Sequence, residues 1–376
     1  MKYIDSSESL DEAVHTIRSS SWAAVDTEAD SLHHYVEKLC LVQVSVPGED
    51  FVIDPLHSLD LGPLVRVLNE KFLILHGADF DIRILKKNSG FNPRTLFDTM
   101  IAAQLLGYER QGLADLVLKH CGVALSKSSQ KADWSLRPLQ DKLLAYAAND
   151  THYLEAVHQN LRSELSELGR LSWHEEACRK LLETLSAKKE PGDEEIPRWQ
   201  IKGSKLLKDR ALTCLKHLWE WREEEAKRRD KPSFKILNSE ILIETAQWAD
   251  KNPDLDVSLL PNAPRNVKGE LRETLNRLTK EARHLPGAVY VEKKRSSGEK
   301  RKWSAKEDEK LAALKSERER LAKELKLHPS LLATNAVLEK LLQHPPKNET
   351  ELAGMNCLMS WQVELVAEGF LKILNA

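Results

Sequence analysis

The 376-residue sequence contains no run of 18 consecutive apolar residues; Phe72-Leu73-Ile74-Leu75 is typical of its longest clean stretches. Such runs are too short to cross a bilayer as a helix, so no membrane is expected as a partner. Met1-Lys2-Tyr3-Ile4-Asp5-Ser6 turns polar at once, without the apolar core of a secretory leader, and a cytoplasmic protein is expected, as a monomer. The five cysteines (Cys40, Cys121, Cys178, Cys214, Cys357) lie far apart, with no Cys-x-x-Cys pair and an odd count. That spacing suggests neither a zinc site nor a disulfide framework, and the thiols read as reduced core or surface groups. Aromatic residues are scarce at 6%, although Trp supplies 9 of them.

Hydrophobic residues at 41% and charged residues at 30% are ordinary for a globular chain, which excludes wholesale disorder, collagen and coiled coil. The length predicts two or three domains. The net charge of −2 hides an asymmetry: residues 1–200 sum to −9, residues 201–350 to +9 and residues 351–376 to −2. An acidic front followed by a basic middle suggests a metal-binding or acidic site, then a region able to meet an anionic polymer.

Along the chain, Trp22–Val25 and Leu39–Val46 read as strands, and the turn Pro47-Gly48-Glu49-Asp50 leads into a third, Phe51–Ile53, an antiparallel hairpin. A helix near 59–69, a strand at Phe72–Leu75 and a helix near 79–87 follow. A hairpin continued by helical crossovers predicts a mixed sheet. From about Asp98 onward the pattern is helical, and Leu139, Leu143, Leu144, Ala147, Thr151, Leu154, Val157 and Leu161 predict one long helix over about 139–165. Charged, Pro- and Gly-containing stretches divide the chain into 1–185, a linker 186–202, a helical block 203–285, a linker 286–304 and a second helical block 305–376.

Four carboxylates stand out by position. Asp26 and Glu28 are two apart at the end of a strand, so both project to one face if the strand continues. Asp81 sits in the first turn of a helix after a strand, and Tyr146 and Asp150 lie one helical turn apart. Singly, such residues are mostly caps or packing groups, the class expected for Asp30, Asp79 and Asp98. Together they form an oxygen-only set suited to hard cations such as Mg²⁺ or Mn²⁺ rather than zinc.

Val25-Asp26-Thr27-Glu28, His76-Gly77-Ala78-Asp79-Phe80-Asp81 and Tyr146-Ala147-Ala148-Asn149-Asp150 resemble the three motifs of the 3′–5′ exonucleases named for their Asp-Glu-Asp-Asp set, in the Tyr-bearing branch. Lys131–Leu139 is similar to the stretch before the third motif of ribonuclease D. Trp219–Pro232 with Ile236–Leu242 resembles the helicase-and-RNase-D C-terminal (HRDC) domain, and about 306–376 resembles a second, more divergent copy. Ala29-Asp30 stands where an aromatic is common in the family, and Asp30 there either adds to a metal site or faces solvent.

The resemblance implies an α/β mixed-sheet, ribonuclease H-like exonuclease domain followed by two all-α helical-bundle HRDC domains. It implies a 3′–5′ exoribonuclease that trims RNA 3′ ends, tRNA precursors or other structured RNA, through two divalent metal ions, Mg²⁺ or Mn²⁺. Asp26 would bridge both ions, Glu28 and Asp150 would hold the ion carrying the attacking water, Asp81 would support the other, and Tyr146 would orient the water. Lys131, Trp134 and Arg137 are expected near the substrate entrance. Lys227, Arg228, Arg229 and Lys231 are expected at phosphates, and at most one of Trp219 and Trp221 in a core. The rival readings are an exonuclease acting mainly on DNA and a catalytically silent nucleic-acid-binding scaffold.

Overall fold

Short apolar runs in the first hundred positions build a single sheet. The computed structural model describes residues 1–126, 128–187, 196–261, 267–292 and 303–376. Among these, strands β1 (Lys2–Ile4), β2 (Trp22–Ala29), β3 (Leu39–Val46), β4 (Glu49–Ile53), β5 (Phe72–Leu75) and β6 (Thr95–Asp98) pair in the order β1-β4-β3-β2-β5-β6. Strand β2 is antiparallel to β3 and parallel to β5, so the sheet is mixed. The β3–β4 hairpin turns at Pro47-Gly48, where Gly48 takes φ +80°, a conformation that strains any side chain. Strands β1 and β6 carry no clear sequence signal, since Lys2–Ile4 and Thr95–Asp98 are short and interrupted by polar residues, whereas β5, equally short, is an unbroken apolar run.

Helices α1 (Ser7–Ser19), α2 (Gly62–Asn69) and α3 (Asp79–Ser89) belong with one sheet face, in a core that includes Ile17, Val25, Val44, Leu64, Leu68 and Leu85. Beyond the sheet come α4 (Thr99–Leu105), α5 (Leu113–Cys121), α6 (Asp141–His152), α7 (Leu154–Glu167) and α8 (Leu171–Ser186). Ala147 and Ala148 of α6 pack with Leu41, Val52 and Trp134 on the other face. The single helix expected over 139–165 is two. Tyr153 holds φ −94° and ψ −4°, and its N–H turns back to the Thr151 carbonyl, breaking the ladder. The apolar spacing runs through the break because α6 and α7 bury their inner faces in different clusters, so no Pro or Gly is needed to mark it.

The described residues divide into two compact units. One comprises 1–29 and the described parts of 39–188 and 300–376. It therefore includes the last helical block: α13 (Ala305–Leu325), α14 (Pro329–Leu332), α15 (Asn335–Gln343), α16 (Glu349–Gly354) and α17 (Ser360–Leu374), which follow the four helices of the other unit in chain order. Leu105, Leu116, Val157 and Leu161 share one core with Leu314, Leu338, Trp361 and Phe370. Buried Arg170 donates to the Leu105 carbonyl at 2.7 Å and the Leu325 carbonyl at 2.8 Å. A Cβ on Gly107 would come within 2.1 Å of the Lys326 carbonyl oxygen, so only glycine fits there.

The other unit comprises 30–38 and the described part of 189–299. Its helices are α9 (Asp209–Arg228), α10 (Ser233–Ile236), α11 (Ser239–Lys251) and α12 (Gly269–Glu281), around Leu212, Leu215, Leu218, Leu242 and Leu278. Trp219 and Trp221 both pack, partly buried, against this core. Neither is among the buried members of that core, and α10, α11 and α12 all contact α9. Residues 188–195 and 293–302, inside the expected linkers, lie outside the described residues.

Candidate active site

Strand β2 continues past Val25 to Ala29, so Asp26 and Glu28 do project to one face. Their antiparallel partners are Gln43 and Leu41, and Leu41 lies beneath α6. Tyr146 and Asp150 come from α6, one turn apart. The carboxylates of Asp26, Glu28 and Asp150 meet with oxygens within 4.8 Å of one another. The half-buried Tyr146 hydroxyl hydrogen-bonds Asp150.

Asp81 reaches the group from α3, on the opposite face. It is buried and accepts a 2.5 Å hydrogen bond from Thr27 Oγ1, between Asp26 and Glu28 in sequence but pointing the other way. It stands outside the 4.8 Å trio, yet its charge acts on Glu28 and Asp26 acts on it. The turn that launches α3 is pinned by buried Asp98, which caps α4 at Met100 and Ile101 and also accepts from the Gly77 N–H at 3.0 Å and the Ala78 N–H at 2.8 Å. Gly77 takes φ +72°. Asp79 is a surface partner of Arg83. Asp30 neither faces solvent nor joins the carboxylate trio: it is fully buried and accepts from the Lys38 N–H at 2.8 Å, closing the 30–38 loop.

The four carboxylates resist ionising together. Burial raises Asp26, and Asp150 adds to it. Burial, then Asp26, Asp150 and Asp81, push Glu28 up to about 10. Asp81 is raised by burial and Asp26 against the pull of the Thr27 bond, and Asp150 by burial against the pull of Tyr146. Among the described residues no Lys or Arg is paired with any of the four. Such a largely buried cluster of carboxylates, with oxygen donors only and no cation from the protein to balance it among the described residues, fits a hard divalent cation. Burial, then Asp150, raises the Tyr146 phenol, which keeps its proton at neutral pH.

A cleft of about 200 Å³ opens beside Tyr146 and Asp150, lined also by Leu125, Ser129, Lys142 and Asn149. Lys142, Tyr146, Asn149 and Asp150 share one helical face at three- and four-residue spacing. Lys142 and Asn149 were legible by that spacing but were missed in the sequence, as were Thr27 and the loop-pinning role of Asp98.

The residues expected at a substrate entrance are distributed differently. Lys131 is exposed. Trp134 is only 1% exposed, its indole filling the space beneath α6 beside the Tyr146 ring at 6.0 Å, so it is no platform for a base. The Arg137 guanidinium is spent on Asp54, at 2.7 Å from Nη2 to Oδ1 and again from Nε, and on the Trp134 and Cys40 carbonyls. It ties the loop to the sheet rather than reaching for phosphate. Lys227, Arg228, Arg229 and Lys231 are exposed at and just after the end of α9. Arg228 and Arg229 both donate to Glu225, and these bonds pull its carboxyl down to about 2.

Residues 1–166 match the family model described as 3′–5′ exonuclease, and residues 211–254 and 307–374 match the HRDC domain. The chain is 32% identical over 279 residues to exosome complex component 10 of Mus musculus, covering 70% of this chain but 30% of that protein, so it spans about a third of that relative. It is 32% identical over 330 residues to ribonuclease D of Xanthomonas oryzae pv. oryzae, covering 85% of each. Among solved structures, Escherichia coli RNase D, described as an exoribonuclease involved in structured RNA processing, shares the fold with a TM-score of 0.68 and 24% identity, over 100% of this chain and 98% of that one.

Proposed function

We propose that this chain, which belongs to the ribonuclease D family, is a metal-dependent 3′–5′ exoribonuclease that trims structured RNA, tRNA precursors foremost, and releases nucleoside 5′-monophosphates. The observation that carries the reading is the convergence of Asp26, Glu28 and Asp150 beneath Tyr146, with Asp81 behind them. Asp26, Glu28, Asp150 and Asp81 would hold two divalent cations. When bound, these supply Lewis-acid activation of a water at the scissile phosphate and stabilisation of the leaving 3′-oxygen. The Tyr146 hydroxyl, whose proton is donated to Asp150, would orient that water by accepting a hydrogen bond from it, since a phenol with a raised pKa is a poor base at neutral pH. Lys142 and Asn149, on the same helical face, are suited to meet the terminal nucleotide in the cleft. Residues 203–285 and 305–376 serve as the HRDC modules, and Lys227, Arg228, Arg229 and Lys231 of the first meet RNA phosphates.

The test is incubation of pure protein with end-labelled RNA and DNA oligomers in Mg²⁺ or Mn²⁺. RNA shortened from the 3′ end to 5′-monophosphates is expected, and Asp26→Asn should abolish turnover while leaving RNA binding within a few-fold. Activity surviving excess EDTA, or DNA degraded in preference to RNA, would overturn the proposal.

A further inference from the structure

Gln43 is fully buried in β3, and neither its side-chain oxygen nor its side-chain nitrogen has a hydrogen-bond partner among the described residues. Both atoms are normally satisfied in a protein interior, so a buried amide with neither paired requires an explanation. Its place in the sheet supplies one. In the antiparallel ladder Gln43 stands directly opposite Asp26, and directly opposed residues put their side chains on the same face, a few ångströms apart.

That face is the one under α6. Two residues before Gln43, Leu41 packs with Ala147 and Ala148; two residues after it, Ser45 donates to Thr151 Oγ1 at 2.7 Å. The amide is thus caught between Leu41 and Ser45, beneath the turn of α6 that carries Asp150, with Asp26 beside it. Asp54 and Arg137, on this side of the sheet, already have the partners described above, and the other buried polar atom without a partner in this layer among the described residues, the Trp134 indole N–H, is a donor that leaves the amide nitrogen of Gln43 unanswered.

We infer that Gln43 is a positioning residue for the metal site: its amide nitrogen donates to the Asp26 carboxylate when that carboxylate holds a cation, fixing the orientation of the ligand from beneath. The inference rests on the metal-dependent reading above. A hydrogen bond from an amide to a carboxylate that holds a cation is stronger than one between neutral groups. Groups that orient a metal ligand without touching the metal commonly carry a 10–100-fold share of metal affinity.

The experiment measures two quantities on the full chain: Mn²⁺ binding by calorimetry, with Mn²⁺ alone as the probe, and the melting temperature in EDTA. Gln43→Met keeps length and apolar packing but removes both polar atoms. It should bind Mn²⁺ roughly 10–100-fold more weakly while melting at the same or a higher temperature without metal, since an unsatisfied buried amide has gone. Ser45→Ala is the control on the same strand face: it should lower the melting temperature and leave Mn²⁺ affinity unchanged. Should Gln43→Met not fold, Gln43→Asn, which draws the amide back by one methylene, is expected to weaken Mn²⁺ binding in the same sense. Unchanged Mn²⁺ affinity in the Gln43 variant would overturn the inference, as would an equal loss of affinity in Ser45→Ala, which would mean that any disturbance under α6 loosens the site. If the unaltered chain bound no Mn²⁺, the metal-dependent reading itself would fall.

Discussion

Trp173 of α8 stacks on Trp361 of α17 with ring centroids 4.6 Å apart and planes 10° from parallel. The stack joins the exonuclease fold to the last helical block, 188 positions later in the chain, within the shared core that also holds Leu161 and Phe370. The two share one interior.

Trp361→Ala should therefore destabilise the sheet-bearing exonuclease fold, not only the helical block. Removing a buried tryptophan typically costs about 3–5 kcal/mol, and denaturant unfolding followed through both parts should shift as one transition. A chain ending at Ser186 should aggregate or unfold, because Leu105, Leu116, Val157 and Leu161 lose their cover. A truncated chain with undiminished stability would contradict the shared core.

Raised carboxylate pKa values make metal-free stability depend on pH in a definite sense. The folded protein holds protons on Asp26, Glu28, Asp81 and Asp150 that the unfolded chain has released above the ordinary carboxylate range, near pH 4. The stabilisation is complete below that range and is lost as pH rises through the folded values, the highest of them about 10 for Glu28. Melting temperature in EDTA should fall between pH 6 and 9, and saturating Mg²⁺ should flatten the fall. A level profile in EDTA would show that the four groups do not share a buried site.

Tyr146→Phe removes one hydroxyl from the edge of the Asp150 carboxylate. Turnover should drop by roughly 10²–10⁴, the range for a positioned proton-handling group, while Mn²⁺ affinity changes little. Wild-type turnover would reduce Tyr146 to a packing partner of Trp134.

Reversing charge at Lys227, Arg228 and Arg229 should weaken binding of structured RNA and leave hydrolysis of a short oligomer intact. Each RNA phosphate that these cations neutralise adds about 0.7–0.9 to the log–log salt slope of binding, so the slope should flatten by that amount for every phosphate they no longer meet. The exposed Glu225 pairs broken by the change carry little stability. An unchanged slope would assign these charges to the solvated end of α9.

Asp26, Glu28 and Asp150 were legible because each has a partner at a characteristic spacing on its own element: Asp26 and Glu28 two apart on a strand, Asp150 four from Tyr146 on a helix. Periodicities of two and 3.6 are properties of the backbone, and they survive in a bare sequence. The mixed sheet followed in the same way from the Pro47-Gly48 hairpin. Trp134 and Arg137 misled because an aromatic and a cation in a loop look alike whether they face substrate or interior, and only the packing of α6 on the sheet and the waiting Asp54 distinguish the two.

The sequence by itself therefore determined the chemistry: which side chains carry oxygen donors, at what local spacing, and on which face of each element. Tertiary structure alone decided which of them meet. The approach of Asp81 from the opposite face, the seating of Gln43 opposite Asp26 and the merging of the last helical block with the exonuclease core depend on strand register and on packing between residues tens to hundreds of positions apart. No local period encodes such packing, because its free energy comes from apolar surface that is buried only once the distant elements have come together.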